Sequence, residues 1–188
     1  MTEESLILHD FSSNGNLIMH VITPSSTLRD WTPDDAGFLA RHADNPRIAM
    51  MMRDAFPSPY TFEDAQRFIS MATGPTPNLF LAIEVRGEAV GSIGIRPMDD
   101  VKHRSAEIGY WLSESFWRKG IMTDAVLSII PVAFKRYPIV RLQAGIFSNN
   151  PASMRVLEKC GFIREAVHRN AITKKGALLD EVMYVHFG

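Results

Sequence analysis

Apolar and polar positions change period several times along this chain and divide it into short elements. Leu17 to Thr23 alternates loosely ahead of Pro24, Ser25 and Ser26, which predicts a first strand or hairpin arm. Thr32, Pro33, Asp34 and Asp35 then make a helix start: a hydroxyl to cap free amides, proline at the first helical position, and carboxylates at the positive end of the dipole. That helix is expected to run through Phe38, Leu39 and Arg41. Asn45 and Pro46 break it, and Arg47 to Met52 predicts a short helix rich in methionine. Phe56 to Tyr60 carries Pro57 and Pro59 and is a loop, after which Thr61, three residues before Asp64, caps a helix through Phe68, Ile69 and Met71.

Gly74 to Asn78 ends that helix, and the period falls to that of strands. Leu79 to Val85 and Ala89 to Arg96, joined by Arg86, Gly87 and Glu88, predict a hairpin, and Ser105 to Leu112 a third strand. Helical spacing returns over Phe116 to Phe134 at Ile121, Ala125, Leu127 and Ile129, followed by a short strand, Val140 to Ile146. Another helix begins near Asn150 and Pro151 and closes at Gly161. Phe162 to Asn170 and Leu178 to His186, linked through Lys174, Lys175 and Gly176, form a final strand pair. Helices, an antiparallel meander, a helix, a strand, a helix and a hairpin describe an α+β fold with a mixed sheet. With no internal repeat, low-complexity tract or linker, residues 1–188 are expected to form a single domain.

Composition narrows the function classes. The chain is 46% apolar and 22% charged, as a soluble globular protein is, and a chain this long buries roughly 70% of its unfolded surface without disulfides or a structural metal. Twenty Lys and Arg against 21 Asp and Glu give a net charge of −1, which argues against a dedicated binder of nucleic acid or of an acidic membrane surface. Cys160 is the single cysteine, so an intrachain disulfide and a thiolate zinc site are excluded and a reducing compartment such as the cytoplasm is expected. Met1 to Asn16 opens on Glu3 and Glu4 and does not read as a signal peptide. The most apolar stretch, Ala125 to Phe134, holds Pro131 between Asp124 and Lys135 and suits a buried helix rather than a membrane span.

Two stretches carry chemistry. In Glu107 to Ala125 a strand runs into a polar turn and a helix opens around Arg118, Lys119 and Gly120. Unpaired amides and the positive end of the dipole make such a start an anion site, and Gly120 lets a phosphate approach the backbone; the same residues also suit a simple helix-entry turn. Neither Gly-x-x-x-x-Gly-Lys-Ser/Thr nor Gly-x-Gly-x-x-Gly is present. In Asn149 to Phe162, Asn150 caps, Pro151 fits the first helical position and Gly161 the left-handed residue that ends the helix. Ser153 falls in the first turn, within reach of a ligand held across two helix starts.

These stretches, Ala-Glu-Ile-Gly-Tyr-Trp-Leu at 106–112 and Asn-x-x-Ser-x-x-Val-Leu-Glu-Lys-x-Gly-Phe at 150–162, resemble the GNAT superfamily of acyl-CoA N-acyltransferases, and within it the RimJ/RimL-like N-acetyltransferases. The likeness runs from about Leu28 to Val185. It implies a mostly antiparallel central sheet flanked by helices, acetyl-CoA as co-substrate, and a primary amine as acceptor, either a protein N-terminus or a small amine. The turn that wraps the cofactor pyrophosphate would be Trp117, Arg118, Lys119, Gly120, Ile121 and Met122, continued by Thr123, with Asn150 and Ser153 also at the cofactor. By the same resemblance Glu107 is the candidate general base, an amide near Trp111 or Leu112 holds the acetyl carbonyl, and Ser153 hydrogen-bonds the departing sulfur. Glu107 also suits a cross-strand partner of a Lys or Arg, such as Arg104, and Ser153 an ordinary first-turn residue. Trp117 replaces the family's usual Gln or Arg, Arg118 a frequent Gly, and Met122 a smaller residue. Leu157 stands where many members carry a tyrosine acid, which keeps a catalytically silent acyl-CoA-binding module as the alternative.

The remaining chemistry-bearing residues fit quieter roles. His42, His103 and His168 lack metal-ligand spacing and read as scattered surface histidines, and no metal is expected. Met50, Met51 and Met52, with Phe56 and Tyr60, either line an acceptor pocket or pack in the core. Asp54 either attracts a cationic amine or is a solvated loop carboxylate, and Cys160 reads as buried and inert. The final hairpin is equally able to pair with a second chain or close its own sheet, so monomer and homodimer both remain open.

Overall fold

The computed structural model describes residues 7–11 and 17–188, with side chains from Met19 onward. Its strands are β1 (Ile7–Phe11), β2 (Leu17–Ile22), β3 (Thr27–Asp30), β4 (Leu79–Val85), β5 (Glu88–Pro97), β6 (Ser105–Leu112), β7 (Arg141–Phe147), β8 (Ile163–Lys174) and β9 (Ala177–Phe187). Its helices are α1 (Ala36–Ala43), α2 (Pro46–Ala49), α3 (Phe62–Thr73), α4 (Ile121–Arg136) and α5 (Pro151–Lys159). The described strands make one sheet in the order β1-β2-β3-β4-β5-β6-β7-β9-β8. Every neighbouring pair is antiparallel except β6 and β7, so the expected mixed, mostly antiparallel α+β sheet is what forms. The parallel pair follows from α4, which carries the chain back between the two strands.

Side chains of alternate sign along each strand feed two apolar layers. Ala106, Ile108 and Leu112 of β6 join Ile121, Ala125, Ile129 and Leu157 on the α4 and α5 side. Trp111 joins Leu39, Tyr60, Ala65 and Ile69 on the α1 and α3 side. Glu107 and Gly109 share the Trp111 face by the same alternation.

Several boundaries differ from the sequence expectation for local reasons. The β4–β5 turn is the two residues Arg86 and Gly87, both at positive φ, so Glu88 belongs to the strand. Lys175 and Gly176 make the same kind of turn, which moves Lys174 into β8. The helix expected from Phe116 begins only at Ile121, because Arg118 and Gly120 take positive φ (61° and 82°) that a right-handed helix does not accommodate. It then runs to Arg136, through Pro131. The methionine-rich helix is the single turn Pro46–Ala49, leaving Met50 to Met52 in the following bend. Neither β1 nor the four-residue β3 is expected from the sequence pattern. The leader-peptide expectation for Met1 to Asn16 falls on residues of which only 7–11 lie within the described part.

Thr32 to Asp35 caps a short 3-10 turn that leads into α1, and the buried Asp35 carboxylate has a task beyond the helix dipole. Arg29 of β3 binds it with two parallel hydrogen bonds of 2.8 Å and also contacts Glu84 of β4. Burial pushes the Asp35 carboxyl up, but bonds from Arg29 and Thr32 outweigh it and hold the group below its ordinary value. The stability it contributes is therefore complete at neutral pH and is lost as the pH falls through the folded-state value. Asp35→Asn is expected to cost about 2 kcal/mol at pH 7, because it removes the bidentate partner of a largely covered guanidinium and leaves it Glu84 alone. Urea unfolding at pH 7 and near pH 3 checks this: the gap between wild type and variant should shrink at the lower pH.

Candidate active site

Beyond Glu107 the two parallel strands separate. β6 and β7 are in register only at Ser105–Arg141, Ala106–Leu142 and Glu107–Gln143, while β7 continues alongside β9. At the ends of the β5–β6 ladder, Ser113 N donates to Val90 O and Met98 N to Ser105 O. Antiparallel alternation then directs the Trp111 amide at Ser92 of β5 and the amides of Tyr110 and Leu112 into the gap. Of the two amides expected from the sequence, that of Leu112 faces the opening and that of Trp111 does not. The Leu112 carbonyl is held by Trp117 Nε1 at 2.7 Å.

A groove of about 850 Å³ lies along this gap. It is lined by Tyr110, Trp111 and Leu112, by the whole turn from Trp117 through Thr123, and by Asn150 and Ser153, so the structure brings every expected cofactor residue to one place. Gly120 caps α4 without offering a side chain, which leaves the first-turn amides of that helix free for an anion. A Cβ at Gly120 would meet nothing within 4 Å, so its glycine is required by φ and leaves open space above the turn. Arg47, Arg118, Lys119, Arg155 and Lys159 add positive charge, and no carboxylate lines the groove among the described residues. Trp117 fills a structural place: besides its bond to Leu112, its ring is covered by Arg47 at 5.3 Å, and Arg47 and Asn45 both bind Glu114.

At the mouth of α5, Asn150 Oδ1 accepts from Ser153 N at 3.1 Å, as its capping role requires. Ser153 Oγ lies 2.8 Å from the Tyr110 hydroxyl. Burial pushes that phenol well above its ordinary value, so it keeps its proton at neutral pH. Tyr110 escaped the sequence reading because nothing in a strand pattern tells which helix start its side chain reaches. Leu157 is fully buried in the core.

Glu107 lines a second, smaller cavity of about 250 Å³ on the opposite face of β6, and Tyr110 and Trp111 border both spaces. Its two oxygens are each 2.6 Å from a guanidinium, Oε1 from Arg53 and Oε2 from the cross-strand Arg96. Arg104, the partner considered from the sequence, is not one of them. The walls are Met52, Phe56, Tyr60, Phe68, Phe80 and Trp111. The methionines therefore divide: Met52, with Phe56 and Tyr60, borders this cavity, and Met50 and Met51 border the larger groove. Asp54 is exposed but paired at 2.6 Å with Lys174 Nζ, a buried group that also donates to the Met52 carbonyl. That pair ties the β8–β9 hairpin to the cavity rim.

His42 departs from the surface role expected of it: its ring lies between Ser113 Oγ at 3.0 Å and Glu88 Oε2 at 3.2 Å and is largely covered. His103 and His168 are exposed, and no group of three potential metal ligands assembles among the described residues. No helix of the described residues is long and apolar enough to cross a membrane.

A cationic groove at two helix starts thus lies on one face of β6 and an apolar pocket with a carboxylate on the other, with Tyr110 and Trp111 bordering both. The acetyltransferase (GNAT) domain model matches residues 26–163, and the chain belongs to that family. It is 27% identical over 168 residues to the uncharacterized N-acetyltransferase p20 of Bacillus licheniformis, covering 86% of this chain and 92% of that one. It is 34% identical over 97 residues to the uncharacterized N-acetyltransferase YoaA of Bacillus subtilis, 52% of this chain and about half, 54%, of the length of YoaA. Among solved structures it is similar to Mycobacterium smegmatis RimJ in complex with CoA-disulfide, with a TM-score of 0.79, 23% identity, and coverage of 91% and 87% of the two chains. Acetyl-CoA-dependent acetyl transfer is the general chemistry of this family.

Cys160 is buried beside the Thr123 carbonyl, and burial, then the nearby Asp124 charge, push its thiol up to about 11. The folded protein should resist iodoacetamide at pH 8 and react promptly once unfolded in guanidinium, as intact-mass measurement would report. Fast labelling of the native protein would mean that the α4–α5 contact opens.

Proposed function

We propose that this protein, as one domain spanning 1–188, transfers an acetyl group from acetyl-CoA directly to a primary amine, a protein N-terminus or a small amine, in a ternary complex. The observation that carries this reading is the juncture at Tyr110 and Trp111, where the cationic groove and the Glu107 cavity meet across β6. Acetyl-CoA supplies an activated thioester. The first-turn amides of α4, with Arg118 and Lys119, suit its pyrophosphate, and the gap beside Leu112 suits its extended arm.

Each remaining requirement of amide formation has a candidate. The Leu112 amide, aimed into the gap, receives the negative charge that develops on the carbonyl oxygen. Glu107 takes one proton from the incoming ammonium, directly or through water, and hands it to solvent. For this an arginine must release one of its oxygens, since both are engaged. Ser153 faces the departing sulfur, and the Tyr110 phenol behind it gives its proton through the Ser153 hydroxyl to the thiolate and regains one from solvent, which takes up the second proton lost by the nitrogen; this is the part that Leu157 leaves unfilled.

Acetyl-CoA and CoA at a hundred times their dissociation constants should each stabilise the fold by about 2.7 kcal/mol, a rise of roughly 5–10 °C in melting temperature, with none from NADH or ATP. Ser153→Ala and Tyr110→Phe should lower kcat by roughly a hundredfold while leaving that shift intact. A shift with both CoA species but no turnover on any amine, and no difference in Glu107→Gln, would favour the silent binding module.

A further inference from the structure

The smaller cavity has a bare floor and a charged rim. Gly94 of β5 lies directly opposite Gly109 of β6, and both line the cavity. A Cβ at Gly94 would come within 2.8 Å of the Phe80 ring, whereas one at Gly109 would meet nothing within 4 Å. Glu107 and Trp111 flank Gly109 on the same face of the strand, so the missing side chain leaves a slot between a carboxylate and an indole. At about 250 Å³ the slot falls below the roughly 300–1,000 Å³ of drug-sized sites and suits an occupant the size of one residue.

The rim carries Arg53, Arg96 and Glu107, two positive charges against one negative, for a local balance of +1. Each arginine spends one N–H on Glu107, and a guanidinium has five, so donors remain for a second carboxylate. Asp54 adds no free negative charge, because Lys174 neutralises it. A polyamine or amino sugar carries cationic charge without a carboxylate, so it leaves the spare donors of Arg53 and Arg96 unmatched and adds positive charge to a rim that is already net positive. The geometry points to a free α-amino acid with an apolar side chain as the acceptor: side chain in the slot over Gly109, carboxylate on Arg53 and Arg96, ammonium on Glu107. This assignment rests on the acetyl-transfer reading above. Transfer joins the α-nitrogen to the acetyl carbon, breaks the carbon–sulfur bond, and yields the N-acetyl amino acid and free CoA thiol, with one net proton released to solvent.

The test is calorimetric binding to the CoA-saturated protein, comparing phenylalanine with phenylalaninamide, alanine, spermidine and a short peptide amide beginning with phenylalanine. Phenylalanine should bind roughly tenfold or more tightly than its amide, the value of a charge-assisted hydrogen bond. Arg96→Gln and, separately, Arg53→Gln should each erase most of that difference. Gly109→Ala, whose Cβ meets nothing within 4 Å, should weaken phenylalanine while sparing alanine. Equal binding of acid and amide, tighter binding of spermidine or the peptide, or no amino-acid binding at all would overturn the assignment. Thiol release and product mass, measured alongside with acetyl-CoA, separate the two readings. Amino-acid binding without transfer would sink the transferase and leave the specificity, and transfer to other amines without amino-acid binding would do the reverse.

Discussion

After Glu107 the strand β6 loses its parallel neighbour, and the main-chain groups of Tyr110 and Leu112 face a gap while those of Gly109 and Trp111 stay in the ladder with β5. A backbone donor is seldom left without a partner, and the rest of the site is arranged around this break in the ladder. Trp117 closes part of it by bonding the Leu112 carbonyl, which also fixes the turn that opens α4. The Leu112 amide remains for a ligand. The departures from the family's turn then read differently than they do in the sequence: Trp117 gives up contact with an anion and gains the post that holds the gap open, and Arg47 and Glu114 brace it from α2.

The two spaces on either side of β6 differ in kind because strand alternation sends unlike residues to each face. Toward α4 and α5 lie helix starts and cations, suited to a polyanion; toward α1 and α3 lie aromatic rings with three charges at the edge. Tyr110 and Ser153 stand on the first side and Glu107 on the second, so in the proposed reaction the groups that give and take protons are separated by the strand itself. That separation suits the proposed direct transfer, in which the ammonium loses its proton on one side of the strand and the thiolate gains one on the other.

Much of this was legible in the sequence wherever the signal is local. The capping residues Thr61 and Asn150, the Gly87 turn, and the positive-φ Gly120 act within a few residues, and each element they bound formed near its expected place. Short-range rules failed where a distant partner decided. β3 is four residues long and exists through its pairing with β2 and β4, and Lys174 reads as a turn lysine until the hairpin carries it to Met52 and Asp54, more than a hundred residues away in the chain.

The sequence by itself determined the class of fold, the family, and the residues that gather at the groove, because periodicity, capping and two contiguous motifs are properties of neighbours along the chain. Only the tertiary structure decided that Glu107 sits between Arg53 and Arg96, that Tyr110 meets Ser153, and that Leu112 rather than Trp111 turns its amide to the gap. Those facts depend on which strands pair, in what register, and where two of them part. Register is fixed by packing across the whole sheet, and no local pattern encodes it.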